Sequence, residues 1–346
     1  MNSNPNGRLA IYANKNGRFY GQKVVEELNL LLAKYGNKES ISLKVPDVSE
    51  FPNSMLKVRL TDKVRGEDAY LIQWFPMPSS DERHSEFNAT RNKEEFFHTI
   101  AALFQAGVKR LTLITPYAYD QRKDILEGRD TIGAALFCQE LAGVTQRERM
   151  QAFCLDVHSQ QIVGFYQLIS INMVSVPMFS TFVDFIKHEY PKILKNAILV
   201  LPDEGASKRG RRFSELMDLD RITITKRRIS PTDIKVEFYA AKKINFEGKT
   251  GILVDDILAS GSTAGTATEY LKLKGLRQAF WVMTHPEVTD LKRLDAMYKQ
   301  GLFEKIFVSD TVALPREYFV HVPTSKLMAR LIFNMHTDHS ISDYLI

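Results

Sequence analysis

Cysteine is nearly missing from this chain, with two residues, Cys138 and Cys154, among 346. Both sit inside apolar segments, so buried thiols in a reducing compartment are expected rather than a disulfide framework. No Cys/His cluster has the spacing of a zinc site. No stretch reaches the roughly 18 consecutive apolar residues that a membrane-spanning helix needs. The opening MNSNPNGRLAIYANKNG lacks a basic start running into an apolar core, so it does not read as a secretory signal. A cytoplasmic location and no membrane partner are expected. Charge of one sign is scarce too: 46 basic against 41 acidic side chains leave a net +5, and no charged tail stands out. That mild excess suits an anionic small molecule or nucleic acid and decides between them for neither. No internal repeat with a period of about 20–50 residues is present.

What is there is an alternation of strand-like and helix-like segments. Residues 9–13 (LAIYA) form a short apolar run, followed by a helical pattern from about Gly21 to Tyr35 with Val24, Val25, Leu28, Leu31 and Leu32 on one face. Further strands are expected at 69–75, 110–115, 151–157, 196–202, 221–225, 249–256 and 278–284, and helices at about 94–106 and 131–141. This order predicts an α/β fold with parallel sheets covered by helices on both faces. Two such halves, meeting near 166–175, fit the length. Ligands in sheets of this kind sit at the carboxyl ends of strands.

The sharpest local signal is residues 251–275, GILVDDILASGSTAGTATEYLKLKG. A buried-looking run ends in paired carboxylates, Asp255 and Asp256, and a loop of small residues follows, Ala259, Ser260, Gly261, Ser262 and Thr263. A helix is expected to begin near Thr263 or Ala264. Small residues let the backbone curl close to a ligand, and exposed N–H groups at a helix N-terminus favour an anion such as phosphate. The acids can take hydrogen bonds from sugar hydroxyls or hold a cation. An ordinary Ser/Thr-capped turn is the simpler reading. Two adjacent acids ending a buried strand weigh against it, because such charges are costly without a task. Gly248-Lys249-Thr250 looks like the end of a Walker A loop, but position 243 is Lys and a strand follows, which excludes that motif.

The 251–275 segment resembles the phosphoribosyl-diphosphate (PRPP) binding motif of phosphoribosyltransferases and PRPP synthetases. Other segments resemble the PRPP synthetase (ribose-phosphate diphosphokinase) family alone. Residues 156–166, DVHSQQIVGFY, are similar to its D-L-H-x-x-Q-I-x-G-F-F; residues 201–213, LPDEGASKRGRRF, to its P-D-x-G-x-x-x-R; and 225–228, TKRR, to its D-K-R-R. Residues 117–123, YAYDQRK, stand where the family has Y-A-R-Q-D-R/K-K/R. Phe51-Pro52-Asn53-Ser54-Met55 occupies its adenine-reading F-x-D-x-E position, and the tail Met335 to Ile346 is similar to its last segment. Lys208 to Arg212, a short basic run without interleaved aromatics, is weak evidence for nucleic acid.

The resemblance implies two phosphoribosyltransferase-like domains, each a mainly parallel sheet flanked by helices. Their expected extents are 1–168 and 169–325, with 326–346 a helix and tail packing back on the first. It implies Mg²⁺ on His158 and Asp203, and catalytic Lys226 and Arg228 opening a flexible loop. It places ATP on Phe51, Asn53, Met55, Tyr119, Asp120, Gln121 and Arg122, and a ribose 5-phosphate on Asp255, Asp256 and 259–263. It also implies a homo-oligomer built from dimers, with hexamers among the family's assemblies. The departures are specific. Asn53 and Met55 replace two acids, Tyr119 replaces an arginine, the Gln-Asp order becomes Asp120-Gln121, and Ala259 replaces an aspartate. Transfer of a diphosphoryl group from ATP to ribose 5-phosphate is the expected reaction. The same chemistry on a larger 5-phosphoribosyl ester such as ADP-ribose, as in phage NAD-rebuilding members, remains open. So do an inactive regulatory subunit and a phosphoribosyltransferase.

Overall fold

A computed structural model describes residues 5–36, 40–76, 88–202, 207–228, 234–240 and 244–345, with backbone alone at 207–209, 225–228 and 234–240. The chain divides into two compact units. The first takes the described residues up to Pro177 and those from Thr324 onward; the second takes those from Met178 to Pro323.

The first unit opens with β1 (Arg8–Ala13), α1 (Arg18–Lys34) and β2 (Leu43–Lys44). A hairpin of β3 (Asp47–Glu50) and β4 (Leu56–Arg59) follows, then β5 (Glu67–Ile72), α2 (Ala89–Gln105) and β6 (Arg110–Ile114). Next come α3 (Gly133–Thr145), β7 (Met150–Leu155), α4 (Gln160–Gln167) and β8 (Ile171–Val176). Six of these strands make one sheet in the order β2-β1-β5-β6-β7-β8, every pair parallel. Strands in such a sheet are buried on both faces and therefore read as continuous apolar runs; all six residues of β5 are buried. The chain leaves this sheet at Pro177 rather than at 168, because β8 lies parallel beside β7 and completes it.

The second unit contains α5 (Phe179–Glu189), β9 (Ala197–Leu201), α6 (Ser207–Met217), β10 (Arg221–Arg228), β11 (Ile234–Ala240) and β12 (Thr250–Ile257). It continues with α7 (Ser262–Leu273), β13 (Gln278–His285), α8 (Leu291–Lys299), β14 (Lys305–Ser309) and β15 (Phe319–Val322). Its sheet has the order β11-β10-β9-β12-β13-β14-β15, parallel except for the β10–β11 pair. The expected α/β architecture with mainly parallel sheets is the one observed. The segment expected to open a loop at 225–228 instead continues as strand, with Lys226 opposite Val236 and Arg228 opposite Ile234.

The last helix, α9 (Thr324–His336), returns to the first unit. Tyr35 of α1 stacks on Phe333 at 4.9 Å between centroids. Deeper in, Asp68 accepts two bonds from Arg110, both at 2.6 Å, and one from the His336 ring at 2.7 Å. Burial pushes the Asp68 carboxyl up, but the bonds from His336 and Arg110 outweigh that and hold it below its usual range. Beside it, the buried Glu67 carboxylate takes Arg8, Lys44 and the Tyr12 hydroxyl. Each buried charge is thus paired, the condition for tolerating it at all. Both cysteines are buried free thiols, and burial pushes each up to about 12. No helix among the described residues is long and apolar enough to cross a membrane.

Candidate active site

In the second sheet, β9 is followed by a helix leading to β10 on one side, and β12 by a helix leading to β13 on the other. The strand order therefore reverses between β9 and β12, and a crevice opens at their carboxyl ends. Asp255 and Asp256 close β12 at that point. The Asp256 N–H donates to Asp255 Oδ1 at 2.9 Å, and Asp256 itself is 6% exposed. The Leu258 N–H then bonds to His285 O at 2.9 Å, tying the strand end to β13 before the chain turns.

The turn depends on Gly261, which holds φ +72°. A Cβ there would lie 2.6 Å from Leu294 Cδ2 and 3.3 Å from Trp281 Cζ3, so only glycine fits both the backbone and the packing. α7 begins one residue later, at Ser262. Its first closing bond runs from the Gly265 N–H to Gly261 O at 2.8 Å. The amides of Ser262, Thr263 and Ala264 precede that bond and head the helix. Ser260 Oγ donates to Ser262 Oγ at 3.1 Å, keeping two hydroxyls at the same mouth. The helix is fixed to the sheet where the Trp281 indole N–H donates to Thr268 Oγ1 at 3.1 Å. Donor amides, hydroxyls and the positive end of the helix dipole thus converge within a turn of two carboxylates, an arrangement with the chemistry to receive an anion. Ala259 brings no acid to this loop; its carbonyl accepts from the Thr289 N–H at 3.3 Å.

In the first unit, residues 117–123 follow β6 and residues 156–158 follow its parallel neighbour β7. The two segments meet directly: the His158 N–H donates to Gln121 Oε1 at 3.1 Å. Gln121 is 0% exposed, and its Nε2 finds no partner among the described residues. His158 and Arg122 are exposed at this edge. Asp120 adopts φ +55° against Gly133, where a Cβ would overlap the carboxylate. Burial raises the Asp120 carboxyl and nearby Lys123 opposes the rise. Tyr119 faces inward, stacked on Phe137 at 4.9 Å and edge-on to Phe75 at 5.2 Å. Of the four residues expected here for ATP, Tyr119 and Gln121 are therefore built into the unit.

Phe51, Asn53 and Met55 lie at the tip of the β3–β4 hairpin, where Phe51 and Met55 are 50% and 66% exposed. No hydrogen bond or ring contact links this tip to Tyr119, Asp120 or Gln121 among the described residues. Lys226 and Arg228 are placed as backbone in β10, and Asp203 lies outside the described residues. Among the described residues no group of three or more His, Cys, Asp or Glu side chains could hold a metal. Mg²⁺ needs no such cage, since it keeps waters and takes one or two protein groups together with substrate phosphates.

Sequence reasoning missed the residues at the equivalent reversal of the first sheet, between β1 and β5. Asn14 Nδ2 donates to Gln73 Oε1 and Asn14 Oδ1 accepts from Thr99 Oγ1, both at 2.8 Å, while Asn16 Nδ2 bonds to Trp74 O at 2.7 Å. Neutral amides lock this crevice where the second sheet has carboxylates. The signal was Asn14-Lys15-Asn16-Gly17, polar residues straight after a buried strand.

The relatives fit this geometry. The family model for the N-terminal domain of ribose phosphate pyrophosphokinase matches residues 9–144. A ribose-phosphate pyrophosphokinase of Thermosipho africanus is 30% identical over 305 residues, covering 86% of this chain and 88% of its own. One from Synechocystis is 26% identical over 97% of this chain and 92% of its own. The crystal structure of phosphoribosylpyrophosphate synthetase from Mycobacterium smegmatis superposes with a TM-score of 0.78 at 21% identity, covering 96% of this chain and 99% of that one. The chain belongs to the ribose-phosphate pyrophosphokinase family.

Proposed function

We propose that this protein is a ribose-phosphate diphosphokinase that transfers the β,γ-diphosphoryl group of ATP to the C1 hydroxyl of ribose 5-phosphate, giving PRPP and AMP. The observation that carries it is the β12–α7 turn, where paired carboxylates precede an anion-receiving helix N-terminus at the reversal of the strand order. The names of the relatives support the same reaction.

Asp255 and Asp256 accept hydrogen bonds from the ribose diol, and the amides and hydroxyls of 260–263 bind the 5-phosphate. That leaves the C1 hydroxyl as the group to attack the β-phosphorus. The new O–P bond forms as the bond from the β-phosphorus to the bridging oxygen breaks; AMP keeps that oxygen, and the C1 hydroxyl proton is lost to solvent. Mg²⁺, when bound, would be held by His158 and Asp203 and would supply positive charge to offset that of the transferring group. Lys226 and Arg228 stabilise the oxygens that gain charge in a loose transition state, where positioning and electrostatics supply most of the rate. Asp120, Arg122 and the exposed hairpin tip, Phe51, Asn53 and Met55, receive the donor nucleotide. That tip serves a neighbouring copy in a homo-oligomer. No nucleic acid or membrane enters the reaction.

A second reading has a specific observation behind it. Ala259 leaves the phosphate loop without an acid, which suits an esterified 5-phosphate as in ADP-ribose. Incubation with Mg²⁺, ATP and either acceptor decides. AMP formed with ribose 5-phosphate supports the proposal, and AMP formed only with ADP-ribose supports the second reading. AMP with neither acceptor overturns both and leaves a regulatory subunit or a transferase.

A further inference from the structure

A cavity of about 600 Å³ opens in the first unit at the amino ends of β6, β7 and β8. The donor segments 117–123 and 156–158 follow the carboxyl ends of β6 and β7. Strands of five and six residues at about 3.3 Å per residue set the two edges roughly 17–20 Å apart. The cavity is therefore separate from the donor segments of its own unit.

Its chemistry is one-sided. Leu111, Met150 and Met335 give it an apolar floor, and among the described residues no carboxylate or aromatic ring lines it. Of its two guanidinium groups, that of Arg110 is consumed by Asp68, the Tyr70 hydroxyl and Met335 O. Arg149 is exposed and has no hydrogen bond or ion pair among the described residues. The side chains of Gln151, Gln167, Ser170 and Asn172 are likewise unbonded among those residues, and they face the same space. One unspent cation selects one anionic group. Three carboxamides and a hydroxyl supply paired donors and acceptors, which match vicinal hydroxyls. The missing aromatic surface removes the stacking that a nucleobase uses for binding.

We propose that this cavity is a binding site for a small phosphorylated polyol of the sugar-phosphate class, with its phosphate on Arg149 and its hydroxyls on Gln151, Gln167 and Asn172. The volume holds such a molecule within the usual range for ligand sites.

Isothermal titration of the full-length protein with glucose 6-phosphate tests it, against AMP and inorganic phosphate as competing probes. One saturable site is expected in the unaltered protein and in Asp255→Asn/Asp256→Asn, which alters the second unit alone. Arg149→Ala is expected to weaken binding by about tenfold or more. Asn172→Leu, on an exposed position of β8, is expected to weaken glucose 6-phosphate more than inorganic phosphate. Unchanged affinity in both cavity variants, with native melting curves, overturns the site. So does loss of binding in the aspartate variant alone, which would locate the ligand at the ribose loop. Displacement of bound glucose 6-phosphate from the aspartate variant by AMP at lower concentration, or by bare phosphate at equal concentration, overturns the ligand class; no saturable binding of glucose 6-phosphate overturns the proposal outright.

Discussion

The backbone N–H of His158 donates to the side-chain oxygen of Gln121 at 3.1 Å, across two neighbouring strand ends. Gln121 is fully buried, so this bond fixes where the exposed imidazole emerges. The glutamine expected at the nucleotide is thus buried and bonded to the segment that carries His158.

Gln121→Leu removes the acceptor and leaves the His158 N–H unpaired, at a cost of about 1–3 kcal/mol. The concentrations of Mg²⁺ and ATP needed for half-maximal rate should rise several-fold, while the KM for ribose 5-phosphate stays put. Gln121→Glu, which keeps an acceptor oxygen, should recover most of the loss. Equal effects on both substrates would reduce Gln121 to a general packing residue.

Lys226→Ala should lower kcat by about 10²–10³, the scale for removing one donor to a developing charge, with little change in either KM. Steady-state AMP formation measures this. Unaltered turnover would remove Lys226 from the chemistry.

Gly261→Ala forces a side chain into a left-handed backbone position and against Leu294 and Trp281. A destabilisation of about 1–3 kcal/mol is expected, lowering Tm by several degrees. The KM for ribose 5-phosphate should rise as well, since the turn aims the α7 amides. Thermal melting and initial rates read the two effects separately, and a native Tm with a native KM would contradict the geometry.

Asp68 is expected to contribute to the acid dependence of stability. Its folded-state carboxyl is held below the usual range, so it binds protons less readily folded than unfolded. Its contribution is complete above the unfolded value, about 3.9, and is lost as pH falls through the lower folded value. Urea midpoints should therefore hold above about pH 5 and decline below pH 4. In Asp68→Asn the midpoint at neutral pH should drop and the acid decline should flatten; an identical acid limb in both proteins would exclude Asp68 as its source.

The central strands could be read from the sequence because burial on both faces leaves little but apolar residues, as in Ile198–Leu201 and Ile252–Val254. The β3–β4 hairpin could not: Asp47–Glu50 and Leu56–Arg59 are charged and largely solvated, and among the described residues they pair as strands only with each other. β8 was missed for a related reason, since INMVSV interrupts its apolar positions with Asn172 and Ser175. The β12–α7 turn was legible because paired acids followed by small residues stand out after an apolar run. The depth of Gln121 was not legible, because position in a motif says nothing of burial; it lies inside the unit beside Asp120, which takes a left-handed turn against Gly133.

Because α9 belongs with the strands that begin the chain, the first unit is the last to be finished on the ribosome. Residues 178–323 are all synthesised before Tyr35 can meet Phe333 or Asp68 can meet His336. Until then Asp68 waits with one of its hydrogen-bond partners still untranslated. A transcript stopped anywhere between the two units releases an incomplete first unit, so premature termination is expected to yield material for proteolysis rather than a half-enzyme that binds nucleotide.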